Sequence, residues 1–463
     1  MQVTFHLKTL TVAVAALSIA SVASAAGLDR SGQDITAFLQ DGLYAEAVYT
    51  YIDADVSGTD TSGNKIDDIA ESYDFFRYGV KADINDTFSF GILYDEPFGA
   101  AADYSGENDF VTNSNPDAII QEFTKNPNLT QALVDQSIAQ LRGALTPGNP
   151  GGLTDAQLQA ARGQLVGLEA AKNLAAVAGE DTQVEVRTES ITGILGAKFG
   201  ANKEFQAYGG PVAQRVKADV KLRGSAYSSA EGYTTHISND QDYGWIAGAA
   251  YSKPEIALKA ALTYRSEIKH NAKAFESFPI ATAAGATVGL ALPTTRHADI
   301  EIKTPESVNF DFQTGINPTT LATAKVRWVP WSDFSIVPSL YNDVSKVSTG
   351  DDDGLSLVSY DKDQWQVELG LAKRLTPAFA VTGTVGWDSG AGNPVTSLGP
   401  IEGYYSAGLG AKYNFTENWA VSAGGKYLWF GDADGQIPTK AVVSNFEDNN
   451  GFILGAKLSY QAN

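Results

Sequence analysis

The chain has 463 residues, with 54 acidic against 33 basic side chains and a formal net charge of −21 at pH 7. Nucleic-acid phosphates require a basic surface, so this balance argues against a nucleic-acid partner. Because the sequence contains no cysteine, disulfide bonds, thiol catalysis and thiolate-bound metals are excluded together.

Residues 1–25 have the pattern of a secretory signal peptide. An apolar run, residues 10–22, follows Lys8, and Ala23-Ser24-Ala25 supplies small residues for cleavage. This run is shorter than the roughly 20 residues that a membrane-spanning helix needs. No run of about 18 apolar residues follows residue 26, so the pattern predicts export and argues against helical membrane spans.

After the signal peptide, fourteen segments alternate apolar and polar residues with the period of two that is typical of strands with one apolar face. In the thirteenth segment the apolar face carries aromatic residues at both ends, from Trp419 to Trp429, as in the two interfacial girdles of a membrane barrel. The predicted strands are 43–56, 71–84, 87–104, 183–200, 205–224, 243–252, 256–271, 306–316, 320–331, 362–375, 378–389, 402–414, 419–431 and 451–461.

The connections between these segments alternate strictly between short turns and long polar loops. Outer-membrane barrels have an even number of strands, short periplasmic turns and longer extracellular loops. A soluble β-sandwich with amphipathic strands is the alternative, but its loops have no reason to alternate in length. We therefore predict an all-β fold, a 14-stranded antiparallel transmembrane β-barrel over residues 43–463, with both termini on the periplasmic side.

The third predicted strand contains Pro97, Phe98 and Gly99. Proline cannot donate to a strand ladder and glycine permits a bulge, so we expect the strand to be interrupted there. Such a break predicts a lateral opening in the barrel wall. The alternative is a bulge near the rim without a function.

The connection 105–182 is too long for a plain loop. It is rich in Ala, Leu and Gln, and apolar residues recur at helical spacing from Leu158 to Leu168. A second helix is predicted from Leu129 to about Leu141. Two interpretations stay open: the helices cap the mouth of the barrel, or their apolar faces form a landing groove for hydrophobic ligands.

The fifth predicted strand has one charged face. A charge on the lipid face costs about 2–4 kcal/mol at mid-bilayer, so we expect this face to point into the lumen. There its cations are candidates to bind a ligand carboxylate, Arg as a bidentate fork and Lys as a point charge. The alternative is lumen packing, in which they pair with acidic residues of neighbouring strands. The candidates are Arg215, Lys217, Lys221 and Arg223, with Asp219 among them, and a second inward pair, Lys325 and Arg327, on the ninth strand.

Several short passages resemble the FadL/TodX (OMPP1) family of outer-membrane transporters for long-chain fatty acids and hydrocarbons. Together these passages span nearly the whole chain after the signal peptide. They are Gly27–Gln33, Pro97-Phe98-Gly99 with Asp103-Tyr104, Thr304–Val308, Gly315–Pro318, Trp331-Ser332, Trp387–Gly390 and Asn393–Thr396.

The resemblance implies a barrel whose lumen is closed by an N-terminal plug, here 26–42. It also implies that a fatty acid head group is held near basic lumen residues, and that a kink in the third strand gives a lateral exit into the outer leaflet. The implied surroundings are outer-membrane lipids, lipopolysaccharide and the barrel-assembly machinery. Two departures stand out: the plug is short and lacks an Asn-Pro-Ala turn, and Gln461-Ala462-Asn463 follow Tyr460 where barrels usually end on an aromatic residue.

The predicted function is passive uptake of hydrophobic small molecules, above all long-chain fatty acids, through the cell outer membrane. An enzyme is not expected, because the chain after residue 25 has only His236, His270 and His297 and lacks a Gly-x-Ser-x-Gly elbow. No cofactor or metal is expected either. The alternatives are a porin for polar solutes and a surface barrel with a structural or adhesive role.

Overall fold

A closed antiparallel barrel dominates the computed structural model, which describes residues 28–146 and 153–462. The first strand pairs with the last from Leu43↔Ala462 to Asp55↔Asn450, and this pairing joins the two ends of the sheet. The wall has fourteen strands, three of which are interrupted. The predicted fold class is therefore confirmed, whereas the predicted signal peptide lies outside the described residues.

We number the barrel strands β1 to β14 in chain order. Strands β3, β7 and β8 each consist of two segments. The strands are Leu43–Asp55 (β1), Tyr73–Asp83 (β2), Phe88–Asp95 with Gly99–Asp103 (β3), Gln183–Phe199 (β4), Phe205–Lys221 (β5), Thr234–Lys253 (β6), Leu258–Arg265 with Ile268–Ser277 (β7), Thr295–Thr304 with Ser307–Asn317 (β8), Thr320–Val329 (β9), Gln364–Arg374 (β10), Phe379–Asp388 (β11), Glu402–Asn414 (β12), Trp419–Gly431 (β13) and Asn450–Ala462 (β14).

The long connections carry helices and short strands. The α-helices are Pro116–Thr124 (α1), Gln131–Ala144 (α2), Asp155–Ala175 (α3), Ala281–Thr287 (α4) and Ser339–Thr349 (α5), and 3₁₀ turns lie at Ser225–Ala230, Pro254–Ile256 and Trp331–Asp333. A small sheet joins Gly58–Asp60, Lys65–Ile66, Val395–Thr396, Ala433–Gln436 and Val442–Phe446, and Ser335–Ile336 pairs with Val358–Ser359. None of the helices in the described ranges is long and apolar enough to cross a membrane.

Helices α2 and α3 overlap the two helices expected in the connection 105–182, whereas α1 was missed. At nine residues α1 is too short for a clear helical period. A capping signal was nevertheless present, because the Asn115 side chain accepts from the Asp117 amide and Pro116 occupies the first turn.

The outer surface of the barrel changes from apolar to charged partway along the longer strands. On β5 the outward residues from Phe205 to Ala213 are apolar, and Arg215 begins a charged stretch. On β4 the outward residues from Ile191 to Phe199 are apolar, and the next outward residue toward the long connection is Glu189. About nine residues of tilted strand span a bilayer, so β4 and β5 continue beyond the lipid-facing band at the end with the long connections.

Strands β6, β7 and β8 are longer than the sequence predicted. Strand β6 begins at Thr234 and not at 243, β7 ends at Ser277 and not at 271, and β8 begins at Thr295 and not at 306. These additional parts lie beyond the apolar band, where outward positions such as His236 and Asp299 are polar. An apolar period of two therefore cannot mark them, and the pattern resembled that of loops.

Candidate functional site

The segment before β1 fills the lumen, and we call its described part, residues 28–42, the plug. Its apolar centre is Phe38, which is fully buried and packs on Tyr208 with 5.6 Å between ring centroids. Two wall glycines make room for this ring. A Cβ at Gly91 would lie 2.7 Å from Phe38 Cδ2, and one at Gly196 would lie 2.9 Å from Phe38 Cζ, so neither position tolerates a side chain while Phe38 is in place.

Two buried ion pairs tie the plug to β9. Arg327 donates from Nε to Asp29 Oδ2 at 2.6 Å and from Nη2 to Asp29 Oδ1 at 3.0 Å, a bidentate pair. Lys325 donates to Asp34 at 2.8 Å. The inward direction predicted for these two cations is thus what the structure shows, but both charges are matched by plug carboxylates.

Asp34 is also 3.8 Å from Arg77 of β2, so two cations face one carboxylate. Burial raises the pKa of Asp34, but the charges of Lys325 and Arg77 outweigh that effect and hold it below the ordinary value. Asp34 is therefore ionised at neutral pH, which makes it a permanent anchor for the plug.

The interruption in β3 is completed by the plug. The carbonyl of Pro97 accepts from the Arg30 amide at 2.8 Å, and the Gly99 amide donates to the Leu28 carbonyl at 2.7 Å. Asp29 and Phe98 form an antiparallel bridge. The start of the plug thus acts as an extra short strand beside the irregular stretch.

Beside the same interruption the barrel wall has a gap. The β2–β3 ladder ends at Tyr78↔Tyr94, and backbone pairing resumes only beyond β2, at the isolated bridge Ala70↔Ala102. On its other side β3 follows β4 with one extra residue, since Asp95 pairs with Ser190 but Gly99 pairs with Arg187. We call the space between Tyr73–Arg77 of β2 and Asp95–Gly99 of β3 the wall gap.

The Tyr73 side chain lies at the wall gap. Its hydroxyl donates to the Glu96 carboxylate, and the Arg30 guanidinium carbon lies 3.3 Å from its ring centroid. Gly99 provides the space for Arg30, because a Cβ there would lie 2.8 Å from Arg30 Cζ and 2.7 Å from the Val186 carbonyl oxygen. Phe98 points into the lumen, where it is buried and meets Trp331 edge-on at 5.6 Å.

A cavity of about 90 Å³ opens at the wall gap, and we call it the exit cavity. The polar side chains of its lining belong to Asp29, Arg30, Glu71 and Tyr73. The remainder is mainly aliphatic and includes Ile52, Ala54, Val56, Ile69, Leu398 and Ile401. Such a mixture, an apolar wall with a few convergent polar groups, is typical of small-molecule sites.

The charged face of β5 was predicted to point inward, and this is wrong. Arg215 and Lys217 are exposed on the outer surface, while Val216 and Ala218 are buried in the lumen. The cost of a charge on the outer face applies only at membrane depth. This half of β5 lies beyond the apolar band, so the charges face water.

The two remaining cations of that set are engaged in structural contacts. Lys221 is half-buried and donates to Gln183 Oε1 at 3.0 Å. Arg223 is buried and donates to Glu180, to the carbonyls of Leu222 and Tyr233, and to Thr234. The geometry does not bring this set together around a lumen site.

The three helices α1 to α3 use their apolar faces on one another. Ile120, Val134, Ile138, Ala171 and Leu174 form their common core. The cleft of about 1010 Å³ beside them is lined largely by polar residues, including Asn64, Asn108 and Glu231. Of the two interpretations, this arrangement favours the one in which the helices cap the mouth of the barrel. The apolar faces are used between the helices and do not form a landing groove.

The family model described as outer membrane protein transport protein (OMPP1/FadL/TodX) matches residues 175–461. A FadL homologue of Pseudomonas aeruginosa has a TM-score of 0.62 at 14% identity, covering 96% of this chain and 97% of its own. The Pseudomonas putida toluene transporter TodX has a TM-score of 0.54 at 10% identity, covering 92% of this chain and 91% of its own. The Ralstonia pickettii toluene transporter TbuX has a TM-score of 0.54 at 9% identity, covering 96% of this chain and 97% of its own. A comparison with curated proteins found no match. At these identities the structural similarity shows the fold.

Proposed function

The chain belongs to the outer membrane transport proteins of the OMPP1/FadL/TodX family, and on that premise we propose that it is a plugged channel for passive uptake of hydrophobic small molecules, with long-chain fatty acids as the main substrates. As in that family, the barrel resides in the outer membrane. The structurally similar proteins TodX and TbuX are toluene transporters, which favours hydrophobic substrates over polar solutes.

The observation that carries the proposal is the junction of plug, interrupted strand and wall gap. The plug residues that complete β3, Leu28 and Arg30, are continuous with those that bind β9, Asp29 and Asp34. Movement of the plug therefore withdraws the hydrogen bonds at Pro97 and Gly99 in the same step. A ligand in the lumen then has a sideways route through the wall gap.

This route suits an apolar ligand for a simple reason. Unpaired backbone groups facing lipid cost several kcal/mol each, so a wall gap is retained only where it is covered or used. Here the plug and Tyr73 cover it, and the exit cavity behind it is mainly aliphatic. A hydrophobic molecule that crosses the wall at this point enters the bilayer directly and avoids the polar surface outside.

The plug also bears on the porin alternative. Its buried residues Ile35, Phe38 and Leu39 pack into one cluster with wall residues, so the lumen is occupied by protein at this level. An open porin conducts ions freely, whereas a plugged channel conducts poorly. Planar-bilayer conductance of the wild-type barrel is expected to be low, and steady open conductance would favour the porin.

Deletion of Pro97 tests the lateral route. It removes the one extra residue of β3 and restores a backbone donor, so the β3–β4 ladder becomes continuous. Uptake of radiolabelled oleate by cells that depend on this barrel should fall severalfold. Pro305→Val, at the interruption of β8, is the matched control and should leave uptake unchanged. Normal uptake by the deletion variant, folded and present at wild-type level, would refute the lateral route.

A further inference from the structure

Arg30 of the plug is a buried cation whose hydrogen bonding is incomplete. The residue is 7% exposed, and its Nη1 has no hydrogen-bond partner in the described part of the chain. The adjacent carboxylate, Glu96, accepts from the Tyr73 hydroxyl. Buried guanidinium groups are normally saturated with acceptors, so this donor calls for an acceptor that the protein chain itself does not supply.

The present partner of Arg30 is the Tyr73 ring, 3.3 Å from the guanidinium carbon. A cation–π contact holds a guanidinium plane, but it satisfies none of the N–H groups that lie in that plane. A carboxylate binds the same plane at its edge through two parallel hydrogen bonds, which is the stronger interaction. The Tyr73 ring thus holds the face of the Arg30 guanidinium, and Nη1 at its edge is left without an acceptor.

The other basic candidates of the lumen are already paired. Lys325 and Arg327 bind Asp34 and Asp29, and Arg223 binds Glu180. Arg215 and Lys217 lie on the outer surface. Within residues 28–146 and 153–462, Arg30 is the cation that combines burial, an unpartnered donor and a place in the wall of the exit cavity.

We propose that Arg30 binds the acid group of an amphiphile at the wall gap, while the part of the hydrocarbon chain next to that group occupies the exit cavity. This inference rests on the proposed lateral passage and names the group that selects the ligand there. The cavity, about 90 Å³, exceeds the roughly 10–15 Å³ that one water requires. Its aliphatic lining residues suit the hydrocarbon chain, and Arg30 suits the head group.

Tyr73 orients the cation in this proposal. A carboxylate binds the edge of the Arg30 guanidinium while the Tyr73 ring stays on its face, so the ring keeps the donors directed toward the ligand. A neutral hydrocarbon lacks an acid group, so it gains nothing from Arg30.

The experiment compares two ligands that differ only in the head group, oleate and oleyl alcohol, on the detergent-purified full barrel. Affinities are measured by competition against a fluorescent fatty acid analogue, and bound ligand is verified by native mass spectrometry. We expect wild type to prefer oleate. Arg30→Gln should reduce oleate affinity about ten- to a hundredfold and leave oleyl alcohol unchanged. Arg30→Lys, which keeps the charge and loses the fork, should give an intermediate loss.

Arg215→Gln is the matched control, since it removes an arginine from the outer surface and should preserve the preference. Equal oleate affinity in wild type and Arg30→Gln, or equal binding of both ligands by wild type, overturns the inference and leaves the proposed uptake function standing. Failure of wild type to bind either ligand overturns the proposed function itself. If Arg30→Gln does not assemble, the Arg30→Lys comparison decides, and unchanged head-group preference in that variant counts against Arg30.

Discussion

Removing the Arg327 guanidinium should release the plug from the wall. In Arg327→Met the Asp29 carboxylate stays buried, at 2% side-chain exposure, without its bidentate partner. Breaking one side of a buried ion pair typically costs about 3–5 kcal/mol. If the plug opens as a local unit, this cost raises its open population by about two to four orders of magnitude.

Hydrogen–deuterium exchange followed by mass spectrometry reads that population at the plug amides. The amides of Arg30 and Phe38 are hydrogen-bonded in the closed state, to the carbonyls of Pro97 and Ile35. Their exchange should accelerate by the same two to four orders of magnitude, about 3–5 kcal/mol on the free-energy scale. Amides in the paired β1–β14 ladder should be unaffected, because the barrel wall stays closed there.

A second variant separates the effect of charge from the effect of lost packing. In Asp29→Asn/Arg327→Met no uncompensated charge remains, so exchange should slow again by at least about tenfold relative to the single variant. Lys440→Gln is the control, because it removes an ion pair with Asp361 in which both side chains are about half exposed. It should change the hydrogen exchange of the plug amides less than about twofold. Two results would refute the assignment of Asp29 and Arg327 as the plug anchor. The plug amides of Arg327→Met would exchange at the wild-type rate, or those of the double variant would exchange as fast as those of Arg327→Met.

Three further outcomes follow from the same geometry. Phe38→Ala should destabilise the plug by about 3–5 kcal/mol, measured by exchange of its amides, and an unchanged rate would show that the cluster around Gly91 and Gly196 does not hold it. Gly99→Ala places a Cβ against Val186 and Arg30 and should lower the stability of the folded barrel by about 1–3 kcal/mol; a wild-type urea midpoint in lipid would contradict this. Arg215→Gln/Lys217→Gln should leave oleate uptake unchanged, and a loss of uptake would restore the carboxylate role predicted for that face.

The barrel itself was predictable because its signals are local and repeated. Period-two patterning marks each lipid-facing strand, and the alternation of turn and loop lengths fixes the topology. The same signal fails where a strand leaves the membrane. His236 and Asp299 lie on strands, but their outward positions are polar, so those parts of β6 and β8 resembled loops.

The fifth strand shows how a sound energetic argument misleads when depth is unknown. The charged residues from Arg215 onward were assigned to the lumen because lipid excludes charge. The sequence did contain the correcting signal, since the opposite face, with Val216 and Ala218, is apolar as well. A strand with one apolar and one charged face is compatible with either direction, and only the position of the bilayer decides between them.

The candidate site was predictable in part. Pro97 and Gly99 marked an irregular stretch, and the interruption of β3 is found there. The partners of that stretch were not predictable, because Arg30 and Tyr73 reach it from separate segments and carry no local signature. The pairing of Asp29 with Arg327 likewise joins residues 298 positions apart, a distance over which no periodicity carries information.

The order of elements along the chain has a consequence for biogenesis. The plug precedes β1, and β1 finds its second neighbour, β14, only when the C-terminal strand is in place. The chain can therefore close its circle of strands before the plug docks, and we expect docking of the plug to be a separate, later step. Until that step the Pro97 carbonyl and the Gly99 amide lack the hydrogen-bond partners that the plug provides. A newly closed barrel is for that period a leak in the membrane, and we expect cells to tolerate variants with no plug less well than variants with a plug that cannot move.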